Sequence, residues 1–284
     1  MDAASTLTRL GTFVPTHALL RHGITSHQLT RAVRVGTIIR VRQGWYSLPD
    51  ERGDLVRAAR VGGRLACCSA AAHHGLAIRG DRLHVAVPEH ASRLRDSHDY
   101  RRRVSSETVV HWGGQPRHDT HRAASVAEAL GQMAVCASPE RTIAAADSAL
   151  RTRQLTSSEW AAIIAPLPRR LRRLLHRVDA KSESITESVV RFRLAMLGIA
   201  VRSQVAIAGV GSVDFVIGTA LVIEVDGKQY HTDEGQFEKD RRRDARLSAL
   251  GYRVLRFSYR QVFERWSEVR AAVVAAIARG DSSR

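Results

Sequence analysis

Residues 213–231 read VDFVIGTALVIEVDGKQYH, and the fold of the C-terminal third of the chain turns on how this stretch is read. Two apolar runs, 213–217 and 221–226, flank Gly218-Thr219-Ala220, a composition that suits two short strands joined by a tight turn. Alternate residues of a strand share a face. Glu224 and Asp226 therefore lie on one face, and the short turn brings Asp214 of the paired strand beside them. Carboxylates gathered this closely repel one another unless a cation lies among them. An all-oxygen set suits Mg²⁺, or Mn²⁺ in its place, so Asp214, Glu224 and Asp226 are the candidate metal ligands. Such an ion activates water and offsets charge developing on a phosphodiester. His231 lies five residues past Asp226 and is placed to act as the general base.

Each of these residues also has a plainer reading. Asp before Gly marks turns, Lys228 suits a solvated turn, and His231 suits an ordinary loop. Glu187 has capping-box spacing from Ser184, so it serves either as a helix cap or as a fourth carboxylate of the site.

Working outward, Val189, Val190, Leu194 and Leu197 give the helix that starts at Ser184 an apolar face, and Gly198 ends it. A strand over 202–207 precedes the quoted hairpin. A helix over 236–250, stopped at Gly251, follows it, then a strand over 252–257 and a helix over 259–278. The expected product over 182–284 is a mixed sheet flanked by helices.

The segment from Glu187 through VDFVIG, LVIEVDGKQYH and DRRRDARLSALGYRVLRFS resembles a domain of unknown function related to the very-short-patch-repair (Vsr) endonucleases, a branch of the PD-(D/E)XK superfamily. The resemblance covers about the last hundred residues. It implies Asp214 as the central metal ligand, Glu224 as the acid of the second motif, His231 as the histidine beside the scissile phosphate and Glu187 as the helix carboxylate. Asp226 stands where other superfamily members carry lysine, and Lys228 or Lys239 is the substitute. The implied activity is metal-dependent cleavage of DNA, in repair or in phage defence.

Charge points the same way. The 284-residue chain carries 44 basic and 28 acidic residues, a formal net charge of +16. Residues 182–284 hold 16 basic and 13 acidic residues, which leaves 28 and 15 for 1–181. The positive field thus belongs to the N-terminal two-thirds and suits a polyanion such as DNA. A genome that favours arginine gives the same bias.

At the N-terminus, a helix over 15–22 and a second one capped by Thr25 or Ser26 lead into strands over 37–41 and 45–48. Helix, helix, hairpin is the plan of a winged helix. Its second helix presents Ser26, His27, Gln28, Arg31 and Arg34, and its wing carries Arg40 and Arg42, side chains that reach base edges and phosphates. A compact helical hairpin with a solvated basic face is the plainer alternative. Helices over 55–61, 69–74, 123–135 and 139–150 and strands over 83–88 and 108–112 make a middle α+β region. The stretch LLRHGITSHQLTRAVRVGTIIRVRQGWYSLP, and more loosely CCSAAAHHGL, LHVAVP and PERTIAAADSAL, resembles the AbiEi antitoxins of type IV toxin–antitoxin systems. That resemblance implies operator-DNA binding and a cognate toxin as partner, as the nuclease resemblance implies a repair partner.

The expected fold class is a mixed α+β multidomain chain. It comprises a winged helix over 1–50, a middle domain over 51–165, a basic linker over 166–181 and the nuclease-type domain over 182–284. Three cysteines, two of them adjacent at Cys67-Cys68, form neither a disulfide framework nor a zinc spacing, which makes a reducing cytoplasm the default. The histidines, His73-His74 included, show no metal-ligand spacing joined to carboxylates and read as surface or satisfied side chains. No apolar run is long enough to span a bilayer, so no membrane partner is expected. Two rivals to the DNA endonuclease stay open: a non-catalytic DNA-binding regulator that keeps the nuclease fold as a scaffold, and a ribonuclease.

Overall fold

The computed structural model describes residues 2–11, 13–50, 53–80, 82–113, 123–226 and 234–283, with 234–240 described by backbone alone. The chain divides into two compact units, Met1–Gly75 with Arg79–Cys136, and Leu76–Ile78 with Ala137–Arg284.

The first unit opens with α1 (Ala3–Leu10), β1 (Phe13–Pro15), α2 (Thr16–Arg21), α3 (Ser26–Arg34), β2 (Ile39–Arg42) and β3 (Trp45–Ser47). The strands form an antiparallel sheet in the order β1-β3-β2. Both α1 and β1 go beyond what the sequence pattern suggests. The first is one short amphipathic helix capped by the Asp2 side chain, and the second spans three residues, too few for a period to register. Thr25 and Gln28 close a reciprocal capping box that fixes the start of α3. Leu7, Val14, Leu19, Leu29, Ile38 and Tyr46 form the core beneath these elements.

The unit continues through α4 (Asp54–Val61), β4 (Arg64–Leu65), α5 (Cys67–His73), β5 (Leu83–Val87), β6 (Thr108–Trp112) and α6 (Val126–Cys136). The sheet order is β4-β5-β6, with β5 and β6 parallel. Every residue of β5 is buried, as expected of a central strand covered on both faces.

The second unit holds α7 (Pro139–Arg151), α8 (Ser157–Ile164), α9 (Arg169–Leu175), α10 (Ile185–Met196), β7 (Arg202–Ile207), β8 (Gly211–Ile217), β9 (Leu221–Val225), α11 (Glu234–Ala249), β10 (Arg253–Phe257), α12 (Tyr259–Glu264) and α13 (Trp266–Ala278). Residues read from sequence as middle domain pack here instead. Asp147 of α7 receives Nη2 of Arg191 at 2.6 Å, and Glu140 takes Nε and Nη2 of Arg193 at 2.6 and 2.9 Å. Bidentate arginine–carboxylate pairs such as the second fix geometry as well as adding energy.

The sheet of this unit runs β10-β9-β8-β7; β10 is parallel to β9 and the other pairs are antiparallel. One face carries Phe215, Ile217, Leu221, Ile223 and Val225, packed with Val189, Val190 and Leu194 of α10 and Val269, Val273 and Ala276 of α13. On the other face Val216 and Val222 pack with Leu247 of α11. Phe215 is fully buried between strands and helices, and truncating it to Ala would cost about 3–5 kcal/mol. The helix expected over 259–278 is broken at Arg265, whose φ of −135° and ψ of 43° lie outside the helical region.

Candidate active site

Three carboxylates meet where β8, β9 and the first turn of α10 come together. Strands β8 and β9 pair through Phe215 with Ile223, so the next step along the ladder sets Asp214 beside Glu224 on the face opposite the main core. Oδ2 of Asp214 accepts the backbone N–H of Val225 at 2.8 Å, which fastens it to the end of β9. Burial pushes the Asp214 carboxyl up to about 6, and the nearby charges of Glu187 and Glu224 push the same way.

Glu187 lies one turn into α10, where Ser184 caps its backbone N–H at 3.1 Å. Its carboxylate does not return the capping-box bond to Ser184. Oε2 instead accepts from the Glu183 N–H at 2.9 Å and from Nε2 of Gln204 at 2.9 Å.

Gln204 is the residue that sequence reasoning missed. Its Nε2 also lies 3.5 Å from Oδ1 of Asp214, a long approach, while its Oε1 accepts from Ser212 Oγ at 2.9 Å. It stands opposite Asp214 in the β7–β8 ladder, between the pairs Ser203–Phe215 and Val205–Val213. Its φ of 49° is left-handed, a costly conformation for a side chain other than glycine. A glutamine in a strand carries no signal of such a role.

Glu224 is 8% exposed and faces two arginines. Nη2 of Arg243, on α11, lies 2.8 Å from Oε1, and Nε of Arg256, on β10, lies 3.1 Å from Oε2. The two oxygens differ. Oε2 takes a hydrogen bond from Arg256, whereas Oε1 is buried and accepts none that is well aligned from the described residues, its arginine being an ion-pair neighbour by distance only. Among the described residues that leaves a buried carboxylate oxygen with acceptor capacity to spare. Together with Asp214 and Glu187 it forms an all-oxygen donor set that fits a hard divalent cation.

Asp226 follows the last paired residue of β9 and is partly exposed. Its N–H donates to the Phe257 carbonyl at 2.9 Å, and alternation keeps it on the Glu224 side of the strand. Lys228 and His231 lie outside the described residues, as does the Lys239 side chain.

In the first unit, Ser26, His27, Gln28, Arg31 and Arg34 are all exposed on α3. The Gln28 side chain is occupied by the capping box, its Oε1 accepting from the Thr25 N–H at 2.7 Å. Arg40 is exposed and stacks over Tyr46, 5.7 Å from the ring centre. Arg42 departs from the expectation that it reaches outward. Its guanidinium occupies the space where Gly62, at a φ of 115°, has no side chain, and burial lowers its affinity for its proton.

Residues 187–277 match the family model REase_MTES_1575, a span that begins on Glu187 and ends within α13. An uncharacterized protein of Haemophilus influenzae (strain Rd) is 45% identical over 62 residues, 22% of this chain; the match spans about half, 48%, of that protein's length. Among solved structures, the catalytic domain of the homing endonuclease I-Bth0305I aligns with a TM-score of 0.30 and 24% identity, over 34% of this chain and 97% of that one. The C-terminal part of the chain, over 187–277, is thus similar to a restriction-endonuclease-like family.

Proposed function

We propose that the second unit is a nuclease that hydrolyses DNA phosphodiester bonds with the aid of a divalent cation, Mg²⁺ or Mn²⁺. One observation carries the reading: Glu187, Asp214 and Glu224 are drawn together, one of them strained in its protonation, within a region similar to a restriction-endonuclease-like family. Asp214 and Glu224 would hold the cation, with Asp226 assisting and Glu187 beside them. When bound, such a cation supplies Lewis-acid polarisation and a more acidic water. His231 takes the proton of the attacking water as its oxygen bonds to phosphorus and the ester oxygen leaves. Lys228 or Lys239 supplies the positive charge that a motif lysine would bring.

The first unit supports a DNA-targeting role. The winged-helix reading is supported by the element order α1-β1-α2-α3-β2-β3 with sheet order β1-β3-β2, and Ser26, His27, Arg31, Arg34 and Arg40 present an exposed polar and basic face.

A second reading, a DNA-binding scaffold without catalysis, is favoured by the neutralisation of Glu224 by Arg243 and Arg256, which needs no cation. Incubating the full chain with supercoiled, linear, mismatched and single-stranded DNA and with RNA separates them, with Mg²⁺, Mn²⁺ or chelator. Metal-dependent cleavage of DNA is expected, and loss of a factor of about 10²–10⁴ in His231→Ala with metal binding kept. Cleavage of RNA alone would make the chain a ribonuclease, and no cleavage of any of these would favour the scaffold.

A further inference from the structure

The first unit contains a second, chemically different cluster that no part of the proposed nuclease reaction uses. Cys67, His84, His111 and Cys136 each offer one ligand-type atom, and those four atoms all lie within 4.8 Å of one another. We propose that these residues form a metal site for a borderline-soft divalent cation of the Zn²⁺ class, and that the ion staples α5 and α6 to the parallel strands β5 and β6.

The fold brings the four together by independent routes. In the parallel register His84 pairs with Val109 and Ala86 with His111, so the two histidines lie on one face of the sheet, two residues out of step. His84 Nδ1 and His111 Nε2 consequently face each other at 3.1 Å. Cys67 opens α5 and Cys136 closes α6, two helices that pack closely against one another. The Cys136 thiol lies 4.0 Å from Nδ1 of His84.

The distances suit a tetrahedral ion. Zinc–sulfur bonds of about 2.3 Å and zinc–nitrogen bonds of about 2.0–2.1 Å imply donor separations of about 3.8 Å for S···S, 3.5 Å for S···N and 3.3 Å for N···N. The observed separations of 3.1 and 4.0 Å lie within a few tenths of an ångström of these. The widest separation, 4.8 Å, needs a contraction of about 1 Å, which a thiol rotamer supplies. Two sulfurs and two imidazole nitrogens exclude Mg²⁺ and Ca²⁺ by ligand type and favour zinc. Four protein ligands leave no open position, so the site is structural and not a second catalytic centre.

The surroundings hold the ligands in place. Cys67 has a φ of 46°, left-handed and costly for a residue with a side chain, and its N–H donates to Oε1 of Gln132 on α6 at 2.7 Å. The His84 N–H donates to Ser69 Oγ at 2.9 Å. The sequence shows no zinc spacing among its cysteines, and none among its histidines joined to carboxylates. Such spacing places ligands two to five residues apart, whereas these four are spread singly from 67 to 136 and meet only through sheet register and helix packing.

The test uses the full chain. Cobalt replaces zinc in such sites, and a thiolate ligand gives it an intense charge-transfer absorption that a carboxylate site lacks. With only three cysteines in the chain, that absorption reports Cys67, Cys68 or Cys136, and the Cys68→Ala variant separates the cluster from its neighbour. Wild type and Asp214→Asn are expected to bind zinc and to show the cobalt–thiolate band. Cys136→Ser and His111→Gln should each lose or strongly weaken it, and Cys68→Ala should keep it. A zinc chelator should lower the melting temperature of wild type, with recovery on adding Zn²⁺ but not Mg²⁺, a readout that needs no variant to fold. The proposal is overturned by a wild type that shows neither the band nor a zinc-linked melting shift, by a band that survives in both Cys136→Ser and His111→Gln, or by one that Cys68→Ala alone removes. Failure of DNA cleavage leaves each of these readouts unchanged, so the two proposals stand or fall separately.

Discussion

Arg256 and Glu224 occupy the same level of two parallel strands, β10 and β9, and Nε of the arginine lies 3.1 Å from Oε2 of the glutamate. The arginine's Nη2 continues to Oδ1 of Asp244 at 2.6 Å, so a buried acid is tied through one guanidinium to the surface of α11. Removing that arginine leaves Glu224 with Arg243 as its cationic neighbour. The pair is partly solvent-screened and a second arginine remains, so Arg256→Ala is expected to cost about 1–2 kcal/mol without metal, less than breaking a fully buried pair. On the proposed reading a cation shares this carboxylate with the arginine, so Mn²⁺ should restore more stability to the variant than to wild type. Melting curves with and without Mn²⁺ check this, and an equal metal effect in both proteins would separate Arg256 from the metal site.

Asp214 sets a pH dependence of known sign. Its folded carboxyl is raised to about 6 from the ordinary carboxylate range, so between these values the folded chain binds a proton that the unfolded chain does not. Its contribution is full below about pH 4 and lost as pH rises through about 6. Burial raises Asp147 to about 6 as well, against the pull of Arg191, so the difference between wild type and Asp214→Asn isolates the first group. Without metal, Asp214→Asn should match or exceed wild-type stability at pH 7 and lose that advantage towards pH 4. It should abolish cleavage and gain less stability from Mg²⁺. A variant that cleaves as well as wild type would reassign the site.

Gln204 is expected to position Glu187 and Asp214 without touching substrate. Gln204→Ala removes its side-chain links to Glu187, Asp214 and Ser212 while keeping the strained backbone, and Gln204→Gly removes them while relieving it. Cleavage should fall by about tenfold or more in both, because small misplacements of reacting groups are costly. Stability should separate them, with Gly above Ala by about 1 kcal/mol if the left-handed φ persists. Cleavage equal to wild type in both variants would leave Gln204 as a strand residue only.

The basic face of the first unit should act through phosphates. Replacing Arg31, Arg34 and Arg40 together should weaken duplex DNA binding and flatten the slope of log K against log salt by about 0.9 for each phosphate no longer neutralised. Arg42→Ala should instead lower the melting temperature with little change in that slope, since its guanidinium is drawn in over Gly62. Titrations at several salt concentrations decide between the two behaviours, and an unchanged slope in the triple variant would remove this face from DNA binding.

Much of the second unit was legible because its signals are local. Strand β7 spans 202–207, the span read from sequence, and the turn at Gly218, whose φ is 59°, closes the β8–β9 hairpin that sets Asp214 beside Glu224. A hairpin is short enough for composition and periodicity to carry its register. Ser184 capping the start of α10 is equally local. What surrounds those acids is not. Arg243 and Arg256 read as ordinary basic residues until parallel pairing and helix packing deliver them to Glu224, and Gln204 reads as a polar strand residue until its backbone turns left-handed. The attachment of α7 to α10 through Asp147 and Glu140, and the convergence of Cys67, His84, His111 and Cys136, join residues dozens of positions apart. Periodicity encodes which face a side chain takes within its own element; which distant side chain meets it there is decided by sheet order and packing, and those belong to the tertiary structure alone.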